Sequence, residues 1–165
     1  MNIPNLVTKL KSMPSCMVRS PSGLPVVEEG YPIPLDIMAF YQCCGGADLF
    51  LNRDYPISIV APEQFVPANP VIVGERCEED ISSNWHIVAR EGNTMFVTVD
   101  LHPKRFGRCY DSFWDRHGMV GDCPIIARSF TELLQGLIES GGKRWYWLED
   151  GFVPLGDAYD DEVNG

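Results

Sequence analysis

The chain has few of the residues on which metal binding, catalysis and membrane insertion usually rest. Its three histidines (His86, His102 and His117) show no HxxxH or HEXXH spacing, the pattern that places ligands on one helical face. No GxxxxGK[ST] or GxGxxG run occurs, so Gly45-Gly46 and Gly141-Gly142 read as helix stops and not as phosphate loops. The six cysteines, at 16, 43, 44, 77, 109 and 123, contain no CxxC pair. Cys43 and Cys44 are adjacent on an expected helix, where neighbouring side chains diverge by about 100°, which argues against a mutual disulfide. Reduced, structural, metal-free thiols are expected. No apolar run approaches the ~18 residues of a membrane helix. Met1-Asn2-Ile3-Pro4 is not a charged start followed by an apolar block, so a soluble, cytoplasmic protein with no membrane association is expected.

Positive charge is also scarce. Thirteen Lys and Arg stand against 23 Asp and Glu, a formal net charge of −10. The basic groups Lys104, Arg105 and Arg108, and Lys143-Arg144, are short and lack interleaved stacking aromatics, which fits solvated loops better than a nucleic-acid surface. A basic protein partner suits this charge better. Acidity is concentrated at the end: residues 149–165 hold Glu149, Asp150, Asp157, Asp160, Asp161 and Glu162 with no base, so without them the net charge is −4. A second acidic stretch, Glu75, Glu78, Glu79 and Asp80 against Arg76, reads as a solvated loop able to present charge to a partner.

What is present in strength is patterning. Ile3, Leu6, Val7 and Leu10 fit a short amphipathic helix over 1–12 with Pro4 tolerated in its first turn. Prolines at 14, 21, 25, 32 and 34 mark 13–33 as a proline-rich, extended lead-in packed on the body. A helix beginning near Pro34 presents Ile37, Phe40, Tyr41 and Cys44 and stops at Gly45-Gly46. Asp48–Leu51 and Ile57–Val60 are short strand candidates, and Trp85–Ala89 and Phe96–Val99 flank a polar turn containing Gly92-Asn93. One further strand is expected around 108–113. Ser129-Phe-Thr-Glu132 is a capping box that opens a helix with Phe130, Leu133, Leu134, Leu137 and Ile138 on one face. Trp145–Leu148 reads as a last strand, after which the acidic tail should fray from Gly156.

No candidate chemistry outweighs its plain structural reading. His86 follows Trp85 on a strand and should point to the opposite, solvent face. Cys109 and Cys123 flank His117 without a local nucleophile signature, and Asp111 and Asp115 are two acids in an acidic protein. Catalytic residues, cofactors and metal are therefore not expected.

The order of elements resembles the SUKH superfamily, which holds bacterial toxin-immunity proteins and the cell-wall assembly regulator of the Smi/Knr type. The resemblance runs over residues 31–140. It comprises the proline-started helix ending at Gly45-Gly46, the short strand pair, Trp85 with Ile87 and Ala89, the Gly92-Asn93 turn, the strand ending at Asp100, and the Ile126–Leu134 helix. Trp85, Gly92, Asp100, Ser129 and Phe130 match its recurring framework. The resemblance implies an α+β single domain over 1–148, a mainly antiparallel sheet with helices packed against it, no enzymatic activity, and binding to a protein. The leading expectation is an immunity protein, or antitoxin, that neutralises a basic polymorphic or contact-dependent toxin, a nuclease among the candidates. The alternative is an intracellular scaffold of the cell-wall regulator type. Glu75, Glu78, Glu79 and Asp80 are the candidate partner contacts.

Overall fold

In the computed structural model, which describes residues 1–160, the chain forms four helices and one seven-stranded sheet. Helix α1 (Ile3–Lys11) starts where the Asn2 side chain accepts the Asn5 amide at 2.9 Å, and it buries Ile3, Leu6, Val7 and Leu10. Helix α2 (Leu35–Cys43) uses Pro34 as its cap and not as its first helical residue, and buries Ile37, Phe40 and Tyr41. A short helix, α3 (Ala68–Ile72), lies where no periodicity announces one. Helix α4 (Phe130–Ser140) shows the serine half of the capping box, with the Ser129 hydroxyl accepting the Glu132 amide at 3.1 Å. Asp36 of α2 then accepts from the Thr131 amide at 2.8 Å and from its hydroxyl at 2.9 Å, tying the two helices and placing a carboxylate at the positive end of α4.

The strands are β1 (Met17–Val18), β2 (Ala47–Leu49), β3 (Ile57–Ile59), β4 (Trp85–Glu91), β5 (Met95–Asp100), β6 (Cys109–Asp111) and β7 (Ile125–Ala127). They follow one another across the sheet in chain order, and every neighbouring pair is antiparallel. The fold is therefore the expected α+β single domain. The β4–β5 hairpin turns through Gly92, at φ 58°, a left-handed conformation that a residue without Cβ adopts at no steric cost. Gly46, at φ 107°, is needed twice over, because a Cβ there would stand 2.8 Å from the Ile59 carbonyl oxygen.

The register places Trp85, Thr98, Asp100 and Tyr110 on one face of the sheet, and His86, Val99 and Cys109 on the other. A bulge between Ile87 and Ala89 shifts the register, and Trp85 to Ala89 are all buried. Both faces of β4 are covered. The larger core joins α1, α2 and α4 to the sheet through Phe40, Phe130, Leu134 and Val97. The smaller one gathers Trp85, Tyr110, Cys123, Ile125, Ala158 and Tyr159.

Three expectations are corrected here. His86 is 1% exposed and not a surface residue, because Phe65 stacks on its ring at 5.4 Å and Tyr31 meets it edge-on at 5.6 Å. Trp145–Leu148 is not a strand: Tyr146–Leu148 form a 3-10 turn in which the Tyr146 hydroxyl donates to the Ile126 carbonyl at 2.7 Å. The edge of β7 is instead taken by the chain end, with the Leu155 amide donating to the Ile125 carbonyl at 3.0 Å and the Ile125 amide to that of Gly156 at 2.8 Å. Fraying from Gly156 accordingly fails as far as Asp160. Ala158 is 0% and Tyr159 5% exposed, and the remaining tail residues, Asp161 and Glu162 among them, lie outside the described residues.

Candidate partner-binding surface

The chain on both sides of the acidic loop is tied to β4. Ahead of α3, which precedes the loop, the Ile87 amide donates to the Val66 carbonyl at 2.9 Å. At the loop's end, Asp80 caps a 3-10 turn (Ile81–Asn84) that runs straight into Trp85. Between them Cys77 turns through φ 52°, and Asn69, only 2% exposed, pins the loop from below. The Asn69 amide nitrogen donates to the Arg76 carbonyl and to the Ser82 hydroxyl, both at 3.0 Å, while its oxygen lies 2.6 Å from His117 Nε2. A buried polar frame thus fixes a loop whose Glu75, Glu78 and Glu79 side chains stand in solvent.

Asp80 belongs to that frame and not to the exposed set. Its Oδ2 accepts from the Ser82 amide at 3.0 Å, from the Ser82 hydroxyl, and from the Tyr159 hydroxyl at 2.7 Å. Burial alone would raise its carboxyl, but the bonds from Ser82 and Tyr159, with His117 nearby, outweigh burial and hold it below the ordinary value. His117 is buried too, and burial lowers its imidazole to about 4. The four acids named from sequence therefore divide into three at the surface and one in the frame.

No run or motif in the sequence points to what lies alongside. Glu28, from the proline-rich lead-in, pairs with Arg76 at 2.6 Å, and the Tyr31 hydroxyl donates to Asn84 Oδ1 at 3.1 Å. Glu28, Tyr31, Asn69, Arg76, Glu78 and His86 share one cavity of about 190 Å³. Alternation and charge runs see single segments, and this site is assembled from three.

Of the framework residues, Trp85 and Asp100 meet directly, through the Asp100 carboxylate. Asp100, fully buried, accepts from Trp85 Nε1 at 3.1 Å, Arg105 Nε at 2.8 Å and the Tyr110 hydroxyl at 2.6 Å. Arg105, 3% exposed, is thereby removed from the basic cluster with Lys104 and Arg108. Gly92 lies in the hairpin turn, while Ser129 and Phe130 open α4.

The remaining candidates do not converge. Burial pushes the Cys109 thiol well above its ordinary value and the Cys123 thiol up to about 11, and each sulfur donates to a backbone carbonyl. His117, between them in sequence, is turned to Asn69. Asp111 pairs with Arg116 at 2.9 Å, and Asp115 is exposed. All six cysteines are free thiols. Among the described residues no three His, Cys, Asp or Glu side chains come together to hold a metal, and no helix is long and apolar enough to cross a membrane.

Over 160 residues the chain is 54% identical to Immunity protein YokJ of Bacillus subtilis (strain 168), with 97% of each chain covered. The chain belongs to the family of Immunity protein YokJ. No family model and no solved structure matches it. Coverage at both ends means that the likeness to YokJ takes in the lead-in carrying Glu28 and Tyr31 and the 149–160 segment as well as the 31–140 stretch.

Proposed function

We propose that this chain is an immunity protein of the SUKH superfamily: a non-enzymatic, cytoplasmic domain that binds a cognate toxin and neutralises it. The observation that carries this reading is the identity to Immunity protein YokJ along almost the whole of both chains. Glu75, Glu78 and Glu79 support a partner of opposite charge, because exposed carboxylates on a fixed loop steer a basic surface and suppress acidic ones. A nuclease domain fits that description, since a groove that binds phosphates is itself basic. Neutralisation is then occlusion of that groove, for which the immunity protein supplies shape and charge and no chemistry.

The test is co-expression with the toxin encoded in the neighbouring reading frame. Cells expressing the toxin alone should stop growing, and cells expressing both should grow. Toxin and immunity protein should also co-purify as a stable complex. Continued growth arrest with both proteins present and soluble would sink the proposal.

A further inference from the structure

The polar wall of the cavity beside the acidic loop is rich in hydrogen-bond acceptors, with Arg76 and the Ser83 hydroxyl, which donates to the Glu78 carbonyl, as donors. Glu28 and Glu78 bring exposed carboxylates to its rim. The Tyr31 hydroxyl has spent its proton on Asn84, which leaves oxygen lone pairs and the ring. Asn69 has both its amide hydrogens and its oxygen engaged elsewhere. His86, 1% exposed, has Nδ1 at 3.4 Å from the Asn84 carbonyl oxygen. A carbonyl only accepts, so the proton is assigned to Nδ1 and Nε2 is left as a lone pair. That Nε2 is buried and has no hydrogen-bond partner among the described residues. The cation lining the cavity, Arg76, is already tied to Glu28 at 2.6 Å.

We propose that this cavity receives one cationic side chain, an arginine or lysine, from the protein partner, an inference that rests on the partner-binding reading above. Two carboxylates and a phenol oxygen, beside an imidazole that lines the cavity and has one nitrogen unpaired, are completed by a group that carries several donors and no acceptor. An ammonium has three such donors and a guanidinium five. Tyr31 adds an aromatic face suited to a cation, whereas an anionic ligand meets two carboxylates. Arg76 is the internal competitor for Glu28. Both side chains of that pair are about half exposed, at 58% and 48%, so the bridge is weak and one cation exchanges for another at little cost.

The experiment titrates the full chain with the tripeptide Gly-Arg-Gly and, separately, with its neutral citrulline counterpart, following the His86 imidazole signals by NMR at neutral pH. The arginine peptide should give a saturable shift and the citrulline peptide none. Glu28→Gln and Glu78→Gln should each weaken binding about tenfold, equivalent to ~1.4 kcal/mol. Arg76→Gln should tighten binding by removing the competitor. Glu139→Gln, an equal charge change on exposed α4 and outside the cavity, should leave it unchanged. All four altered side chains are exposed, and circular dichroism checks that the fold is kept. The proposal is overturned by an absent shift, by an equal response to citrulline, by Glu28→Gln or Glu78→Gln binding as the native chain does, by Glu139→Gln weakening binding as much as they do, or by Arg76→Gln weakening it. The peptide is not the toxin, so such a failure removes this socket alone, and co-expression rescue still decides neutralisation.

Discussion

The Tyr159 hydroxyl donates to the Asp80 carboxylate at 2.7 Å, joining the end of the described chain to the foot of the acidic loop. The same ring lies 6.0 Å from that of Trp85, and the Asp157 carboxylate next to it accepts the Cys123 amide at 2.8 Å. The segment is part of the core and holds the loop in place. Deleting residues 156–165 should cost about 3–5 kcal/mol, the range for removing a large buried aromatic. Tyr159→Phe should cost about 1.5–3 kcal/mol, the range for a hydrogen bond to a charged group. Urea unfolding at neutral pH measures both, and an unshifted midpoint in the deletion would contradict this packing.

Gly136 offers a test in which packing opposes helix propensity. Glycine to alanine inside a helix ordinarily gains up to about 1 kcal/mol. Here a Cβ at Gly136 would stand 2.6 Å from Tyr146 Cε1 and 2.8 Å from Cδ1, and the Tyr146 hydroxyl is anchored on the Ile126 carbonyl. Gly136→Ala should therefore destabilise by about 1–3 kcal/mol, the cost of overpacking. Gly136→Ala combined with Tyr146→Ala should recover the propensity gain relative to Tyr146→Ala alone. Thermal melts of the three variants decide the point.

Local periodicity made α1, α2, α4 and the β4–β5 hairpin legible in the sequence, because each carries its own apolar face and its own start or stop. Leu133, Leu134, Leu137 and Ile138 can be read without knowing their partners. His86 and Tyr159 could not be, because what buries them comes from distant parts of the chain: Phe65 and Tyr31 for one, Trp85 and Asp80 for the other. Trp145-Tyr-Trp-Leu148 misled for the same reason. Its aromatic content favours a strand, but Tyr146 is spent on Gly136 and Ile126, and the edge of β7 is occupied by residues 155–156. The acidic loop was visible as a charge run. Its division into exposed Glu75, Glu78 and Glu79 and anchored Asp80 was not, since Ser82, Asn69, His117 and Tyr159 set it through space.

Stability should fall on mild acidification, chiefly through His117. An unfolded histidine takes up its proton near pH 6.5, whereas His117 in the folded protein resists until about 4. Between those values the unfolded state binds more protons, so stability is full above pH ~6.5 and declines as pH falls towards 4. The loss across that window is about 3 kcal/mol, because one proton held by the unfolded state alone is worth about 1.4 kcal/mol for every pH step of one. His86, lowered chiefly by burial, acts in the same direction, while Asp111, whose carboxyl burial raises, opposes it. Unfolding free energies at pH 7.5, 5.5 and 4.5 should therefore decline in order. His117→Gln should flatten that decline without abolishing it, and an unchanged slope in the variant would assign the effect elsewhere.

Within the acidic loop, steering and scaffolding fall to different residues. Glu75, Glu78 and Glu79 are exposed, so the triple change to glutamine should move stability by no more than about 0.5 kcal/mol. If these groups steer a basic toxin, the variant should associate with it roughly tenfold more slowly at low salt and show a shallower salt dependence. The native on-rate should fall as salt shortens the range of the field, and the two proteins should converge at high salt. Asp80→Asn should behave in the opposite way. It weakens the bonds from Ser82 and Tyr159, so it should lose about 1–3 kcal/mol of stability and leave the on-rate close to native. Stopped-flow association at two ionic strengths, beside urea unfolding of the same proteins, resolves the two roles. A triple variant that keeps the full on-rate at low salt would remove the loop from partner capture.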